Sequence, residues 1–288
     1  MDKLNSTTQL LGLIGNPVSG SLSPELHNYV IDRLNLNYIY LAFSVERELV
    51  FQAIRGCRAL GVGGLNVTVP YKKTVLNEMD DLSKSAKAMS AVNTVVFQDN
   101  GKLRGENTDW LGFIKSLQYN EFEPRGKKCF VFGAGGAAAG VVYGLLHMNI
   151  GQILVANRTL ENAEDLVNQL SPYSNGTGLT CESLSRVGLS EKLREADLIV
   201  NATSVGMKGD EDKSVWDSTG VFRSDQMVYD LIYNPYPTRF LEMASSQGAR
   251  TIGGLDMLIL QGLESLKLWT DAEFDSIDML NDVKSFMR

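Results

Sequence analysis

Gly133-Ala134-Gly135-Gly136-Ala137-Ala138 follows the apolar run Cys129-Phe130-Val131-Phe132 directly and opens a helical pattern that continues to Asn149. Gly133 and Gly135 take the first two glycine positions of a GxGxxG/A fingerprint, and Ala138 takes the third. Backbone without side chains can turn tightly there and bring its N–H groups against a pyrophosphate. The helix N-terminus adds partial positive charge. Tight strand-to-helix turns also use glycine for purely steric reasons, so the context decides. A strand before, a helix after and another strand at Gln152 make this the opening of a dinucleotide-binding unit. At the end of that next strand an NAD site usually carries an acidic residue, about 20 residues past the glycines. This chain has Asn157-Arg158-Thr159 instead. Arginine can pair bidentately with a 2′-phosphate, and asparagine and threonine can donate to it. The same arginine could also be a solvated charge at a strand end. NADP is the favoured cofactor, with NAD left open.

A second group of polar residues sits at element ends in the first half. Ser21 and Ser23 flank Leu22 just ahead of Pro24, where a helix is predicted to start. Their hydroxyls and that helix N-terminus would suit a carboxylate, or Ser23 is simply the helix cap. Asn66 and Thr68 fall on one face of an apolar strand, with Lys72 just beyond it. Asn93-Thr94 and Asn107-Thr108-Asp109 have the composition of ordinary turns. Taken singly, each of these residues is unremarkable.

The elements that must hold them alternate in type. Strands are predicted at Leu10–Ile14, Tyr38–Phe43, Gly64–Val69, Thr94–Phe97, Lys128–Phe132, Gln152–Ala156, Leu198–Asn201 and Met227–Leu231. Leu26, Val30 and Leu34 form one helical stripe, and Leu49, Ala53, Ile54, Cys57 and Leu60 form another. Strands separated by helices imply parallel sheets and an α/β protein. The pattern restarts after Pro124, so two α/β domains are expected. The first, residues 1–108 plus 254–288, would close with a helical C-terminal return. The second, residues 109–253, would be a Rossmann-type dinucleotide-binding domain.

Bulk properties narrow the classes. With 288 residues, 44% of them hydrophobic and 21% charged, the chain can bury a sizeable core. A net charge of −7 argues against nucleic-acid or anionic-membrane binding, while a local site can still hold one small anion. No apolar run approaches the roughly 20 residues that span a bilayer. The N-terminal apolar patch reads as a first strand rather than a signal peptide. Three dispersed cysteines, Cys57, Cys129 and Cys181, with no CxxC pair, suit structural thiols in a reducing cytoplasm. Only two histidines occur, so no histidine-rich metal centre is expected.

Taken together, the motifs are specific. SLSPELH, NVTVPYK, AVNT, GENTDW, GAGGAAAG, NRT, NATSVGM, DLIYNP and GLDMLILQG run in the order of the shikimate dehydrogenase family, which the chain resembles from Leu11 to about Trp269. The resemblance implies reversible, NADPH-dependent reduction of 3-dehydroshikimate to shikimate, a step towards chorismate and the aromatic amino acids. It makes residues 1–108 plus 254–288 the substrate-binding domain and 109–253 the NADP-binding domain. Ser21 and Ser23 match the pair that holds the substrate carboxylate. Thr68, Asn93 and Gln261 match contacts to substrate hydroxyls or carboxylate, and Tyr233 a tyrosine near them. Lys72 and Asp109 match the pair at the reacting carbon. Gly133, Ala134, Gly135, Gly136 and Ala137 match the pyrophosphate loop, and Asn157, Arg158 and Thr159 the adenosine-phosphate clamp. Thr203 and Met207 match the strand end lining the cofactor site, and Gly254 a glycine beside the nicotinamide.

These types suit hydride transfer to a ring ketone, in which a lysine ammonium held by a carboxylate supplies the proton. The match departs in one place. Many NADP-using members carry NRTxxR, but here Thr159 is followed by Leu160-Glu161-Asn162 and the second arginine is missing. Two other readings follow: a quinate/shikimate dehydrogenase of dual specificity, often NAD-linked, or a non-catalytic sensor of shikimate-like acids. The expected partner is a small-molecule substrate and, at most, a second copy of the chain in a homodimer.

Overall fold

The computed structural model describes residues 4–218 and 220–287, which divide into two units. One comprises the chain up to Gly112 together with the segment from Ile259 onward; the other is Phe113–Leu258. In the first unit the order is β1 (Gln9–Gly15), α1 (Ser23–Arg33), β2 (Tyr38–Ser44), α2 (Val50–Ala59), β3 (Gly64–Val67), β4 (Asp81–Leu82), α3 (Lys84–Met89), β5 (Thr94–Phe97) and β6 (Leu103–Glu106). Helix α4 (Asp109–Tyr119) begins in this unit. The sheet order is β2-β1-β3-β5-β6-β4.

The expectation of parallel strands holds at both sides of this sheet, where β4 also pairs with β6 in parallel, but not at β5. β1 pairs with β2 and β3 in parallel, through crossover helices. β5 instead runs antiparallel to both β3 and β6. The reason is local: Gln98–Lys102 makes a tight turn, with the Gln98 amide donating to the Lys102 carbonyl at 2.9 Å. A connection that short can only reverse the chain. Strands β4 and β6 are additions to the sequence-predicted set. The apolar stripe on α2 is also narrower than expected, because Ile54 is fully buried while Leu49 and Leu60, outside the helix, are exposed.

Strand β1 reads as a continuous apolar run because it is buried on both faces. Outermost in the sheet, β2 is covered differently. Asn28 on α1 donates to the Tyr40 carbonyl at 2.8 Å and accepts from the Tyr40 amide at 2.9 Å.

The second unit restarts with β7 (Lys128–Phe132), α5 (Gly136–His147), β8 (Gln152–Asn157), α6 (Leu160–Leu170), β9 (Gly178–Ser183), α7 (Leu189–Glu195), β10 (Leu198–Asn201), β11 (Met227–Asp230), α8 (Arg239–Ser246) and β12 (Arg250–Ile252). All six strands are parallel, in the order β12-β11-β10-β7-β8-β9. That is the doubly wound order, and its reversal point lies between β7 and β10, where such folds bind ligands beyond the strand ends. Phe130, Phe132, Val228, Phe240 and Leu241 form a core on one face of this sheet. Helix α5 is buried almost throughout, which explains why its sequence is apolar all round.

Helix α9 (Leu255–Thr270) contributes residues to both units, and α10 (Ser276–Phe286) follows it in the first. No helix among the described residues is long and apolar enough to cross a membrane.

Candidate functional site

In the first unit, three loops converge on one ion pair. Lys72 follows β3, Asn93 precedes β5, and Asp109 opens α4. The Lys72 ammonium donates to Asp109 Oδ2 at 2.7 Å. Asp109 Oδ1 accepts from Asn93 Nδ2 at 2.8 Å. The Asp109 amide donates to Asn107 Oδ1, and Asn107 Nδ2 to the Ala91 carbonyl. The Val92 amide donates to the Lys72 carbonyl at 2.8 Å, tying lysine loop to asparagine loop. The Asp109 side chain is only 9% exposed and that of Lys72 is 26% exposed. The carboxylate is therefore fixed and desolvated, while the ammonium still reaches solvent. Standing in the first turn of α4 further favours a negative charge at Asp109.

Gln261 on α9 joins this group, its Oε1 accepting from Asn93 Nδ2 at 3.2 Å. Lys72, Asn93, Asp109 and Gln261, scattered over 190 positions (72 to 261), are thus brought into one hydrogen-bonded cluster. Thr68 is half-buried just past β3. Ser21 and Ser23 also come together, Ser21 Oγ accepting from the Ser23 amide at 3.2 Å.

Ser23 is not the helix cap: it lies inside α1, is buried, and the cap position belongs to Leu22. Its side chain lies beside the Tyr40 phenol. Burial raises the Tyr40 pKa well above its ordinary value, and the nearby Ser23 hydroxyl opposes the shift only partly.

Asn66 turns inward and is consumed by internal bonds. Its Oδ1 accepts from the Tyr40 hydroxyl at 2.7 Å, and its Nδ2 faces the Asn93 carbonyl, Thr94 Oγ1 and Ser265 Oγ at 3.1–3.2 Å. Tyr40 and Ser265 carried no signal in the sequence. Tyr40 counted as one more apolar strand residue, and Ser265 is a lone serine in a leucine-rich helix.

The second unit is built differently. Gly133 sits at φ +102°, and a Cβ there would lie 2.9 Å from Thr203 Cγ2 and 3.1 Å from the Ala202 carbonyl oxygen. Only glycine fits that turn. Gly135 and Gly136 face open space at the start of α5, where a Cβ would touch nothing within 4 Å. Ala134 is half-buried, and Gly135 and Ala137 are exposed. Open backbone at a buried helix's free N-terminus fits a pyrophosphate.

At the end of β8, Asn157 Nδ2 donates to the Thr159 carbonyl at 2.8 Å. That bond folds the strand end over and leaves Arg158 and Thr159 exposed. Thr159 stands at the N-cap of α6, and its side chain makes no cap hydrogen bond there. Both are open to a phosphate.

Beyond β10, Asn201 Oδ1 accepts from the amide and hydroxyl of Thr203 at 3.0 and 2.7 Å. Asn201 Nδ2 donates to Asp230 Oδ1 at 3.0 Å. Asp230 also accepts from the Ile232 amide and the Thr238 hydroxyl. Burial raises the Asp230 pKa above the usual carboxylate value, and these donors counter it. Asn201 and Asp230 thereby hold the two loops that carry Thr203, half-exposed Met207 and half-buried Tyr233, whose phenol pKa is raised by burial. Gly254 is closed to any side chain, since a Cβ would lie 1.9 Å from the Leu231 carbonyl oxygen.

Residues 13–95 match the shikimate dehydrogenase substrate-binding domain, and residues 117–227 match the shikimate/quinate 5-dehydrogenase family. A shikimate dehydrogenase (NADP(+)) of Caldanaerobacter subterraneus is 42% identical over 273 residues, covering 95% of each chain. The crystal structure of a Listeria monocytogenes shikimate 5-dehydrogenase in complex with shikimate and NAD superposes with a TM-score of 0.91. It is 33% identical and covers 100% of this chain and 99% of that one. A quinate dehydrogenase of Corynebacterium glutamicum in complex with NAD gives a TM-score of 0.87 at 28% identity, covering 96% of this chain and 99% of that one. Fold, motif order and identity over nearly the full length agree: the chain belongs to the shikimate dehydrogenase family.

Proposed function

We propose that this protein catalyses the reversible, NADPH-dependent reduction of 3-dehydroshikimate to shikimate, with Lys72 as the proton donor. The observation that carries the reading is the 2.7 Å Lys72–Asp109 pair, its carboxylate held from behind by Asn93. NADPH, when bound, supplies the hydride. The chain's own residues do the rest. As charge develops on the substrate carbonyl oxygen, the Lys72 ammonium stabilises it and hands over a proton. Solvent then restores that proton through the exposed part of the side chain. Asp109 keeps the ammonium aimed and accepts a hydrogen bond from a neighbouring substrate hydroxyl. Ser21 and Ser23 take the substrate carboxylate, and Thr68, Asn93, Tyr233 and Gln261 its remaining polar groups. Positioned proton transfer of this kind contributes about 10²–10⁴ in rate.

The cofactor's pyrophosphate would rest on Gly133–Ala137, over the open space left by Gly135 and Gly136. Its 2′-phosphate would meet Asn157, Arg158 and Thr159, while Thr203, Met207 and Gly254 would border the nicotinamide. The unit containing Gly112 and Ile259 is read as the substrate domain and Phe113–Leu258 as the NADP domain. The three cysteines are unpaired, which supports a cytoplasmic location.

A second reading, a quinate/shikimate dehydrogenase using NAD, is favoured by the missing second arginine after Thr159 and by the likeness to a quinate dehydrogenase. Steady-state rates with shikimate and quinate, each with NADP and NAD, separate the two. Shikimate with NADP is expected to give the highest kcat/KM; an advantage for quinate with NAD would overturn the first reading.

A further inference from the structure

Behind the Lys72–Asp109 pair lies a cluster of five buried polar side chains whose shortest bonds run in one direction. Asn66, Asn93, Thr94, Thr108 and Ser265 are each no more than 5% exposed, so bulk solvent does not reach their bonds. The Thr108 backbone amide, which can only donate, lies 2.8 Å from Asn93 Oδ1. That contact fixes which end of the Asn93 amide is oxygen.

The other directions follow when each hydroxyl gives its one proton to the nearest acceptor left to it. Thr94 Oγ1 must donate to Asn93 Oδ1 at 2.8 Å. Having spent its proton, it accepts from Ser265 Oγ at 2.8 Å. Ser265 in turn accepts from Thr108 Oγ1 at 3.0 Å, a shorter path for that proton than the 3.2 Å to Asn93 Oδ1. Thr108 then accepts from Asn93 Nδ2 at 2.9 Å. The ring closes: Asn93 to Thr108 to Ser265 to Thr94 and back to Asn93, every donor pointing the same way round. Asn66 Nδ2 braces it from outside, at 3.1 Å from Ser265 Oγ and 3.2 Å from Thr94 Oγ1. The Gln261 carbonyl competes for the Ser265 proton at the longer distance of 3.1 Å. Such rings polarise cooperatively in a dry interior.

We infer that this ring is a positioning device for the proposed reaction, with Thr108 and Ser265 as its positioning residues. One Asn93 Nδ2 hydrogen is held by Thr108, and the other favours Asp109 Oδ1 at 2.8 Å over Gln261 Oε1 at 3.2 Å, leaving Oδ2 for Lys72. Neither hydroxyl needs to touch substrate. Without the ring, the Thr108 amide alone holds Asn93 Oδ1, the aim of Asn93 Nδ2 at Asp109 Oδ1 loosens, and with it the aim of the Lys72 ammonium. The effect belongs to the chemical step rather than to substrate affinity, because misplacing a reacting group by about 1 Å can cost on the order of 10² in rate.

The inference rests on the proposed role of Lys72 and Asp109, and the test separates the two. Steady-state kcat and KM for shikimate oxidation with NADP are measured for the full chain and for Thr108→Val, Thr108→Ser, Ser265→Ala and Lys72→Ala, with thermal unfolding as the check on folding. Thr108→Val keeps the shape and removes the hydroxyl. It is expected to lower kcat roughly 10- to 100-fold with KM changed less than about threefold. Thr108→Ser restores the hydroxyl and is expected to bring kcat back to within about threefold of the parent. Ser265→Ala should follow the kcat loss of Thr108→Val more weakly, and carries the test alone if that variant does not fold. Parental kcat in both Thr108→Val and Ser265→Ala would overturn the inference. So would equal losses in Thr108→Val and Thr108→Ser, which would assign the effect to packing of the methyl group. If Lys72→Ala is inactive while the ring variants behave like the parent, only this inference falls; if Lys72→Ala keeps parental kcat, the proposed function falls with it.

Discussion

The candidate sites of the two units are made of opposite materials. In the first unit the working groups are side chains, buried, charged or amide-bearing, and bonded to one another through five loops and helices. The second unit offers backbone and empty space: Gly133 is glycine because Thr203 and Ala202 crowd it, and Gly135 and Gly136 face nothing. Its polar side chains at the end of β8 include Arg158 and Thr159, and both are exposed. A site made of interlocked side chains can aim a proton. A site made of open backbone can hold a large anion without discriminating finely, since every N–H is alike. On the proposed function, proton transfer and cofactor binding are divided accordingly.

The sharpest way to break this division is Lys72→Ala. It is expected to lower kcat by about 10²–10⁴ while changing KM far less; an equal loss in a remote surface-lysine variant, or no loss here, would remove Lys72 from the mechanism. Next in size is Arg158→Ala. Loss of a charge-assisted hydrogen bond worth about 1.5–3 kcal/mol should weaken NADP binding roughly tenfold to a hundredfold and leave NAD almost unchanged. Parallel losses for both cofactors, measured by fluorescence titration, would place the phosphate clamp elsewhere.

The smallest effect tests how far burial alone distinguishes the first unit. His27 is fully buried, stacked on Tyr40 with ring centroids 4.1 Å apart, and neither ring nitrogen has a hydrogen-bond partner. Burial lowers its pKa to about 3, and the neighbouring Asn66 amide opposes the shift only weakly. Its folded-state pKa is below its unfolded value near 6.5, so the unfolded chain binds the extra proton. Stability should therefore fall as pH drops below about 6.5, at up to about 1.4 kcal/mol per pH unit, until about pH 3. Urea unfolding at pH 7 and pH 5.5 should show a His27 contribution of about 1 kcal/mol that His27→Phe abolishes. An unchanged pH dependence in the variant would show that other groups govern acid sensitivity.

How much was legible in the sequence followed the same division. The turn from Gly133, the helix after it and Arg158 lie within 26 consecutive positions (133 to 158), and local chain order is enough to describe them. The first-unit cluster is assembled by topology, and no local pattern tells Ser265 from any other helical serine. Thr94 and Thr108 read as turn residues, because their partners are 171 and 157 positions away. The strands not anticipated, β4, β6, β9 and β12, are short or polar: Leu103-Arg104-Gly105-Glu106 and Arg250-Thr251-Ile252 carry too little apolar pattern to stand out. Three of them, β4, β9 and β12, lie at sheet edges, where one side of the strand needs no apolar partner.

Asn28 bears on a different matter, the company the chain can keep. An outer strand such as β2 presents a row of free amides and carbonyls on which another strand can add, in a second copy or in an aggregate. The Asn28 side chain imitates such a strand for one residue, filling both outward positions of Tyr40, the third of the seven residues of this edge. A visiting strand would find its ladder interrupted there, with at most a short flank on either side. Asn28 therefore acts against strand addition at this edge.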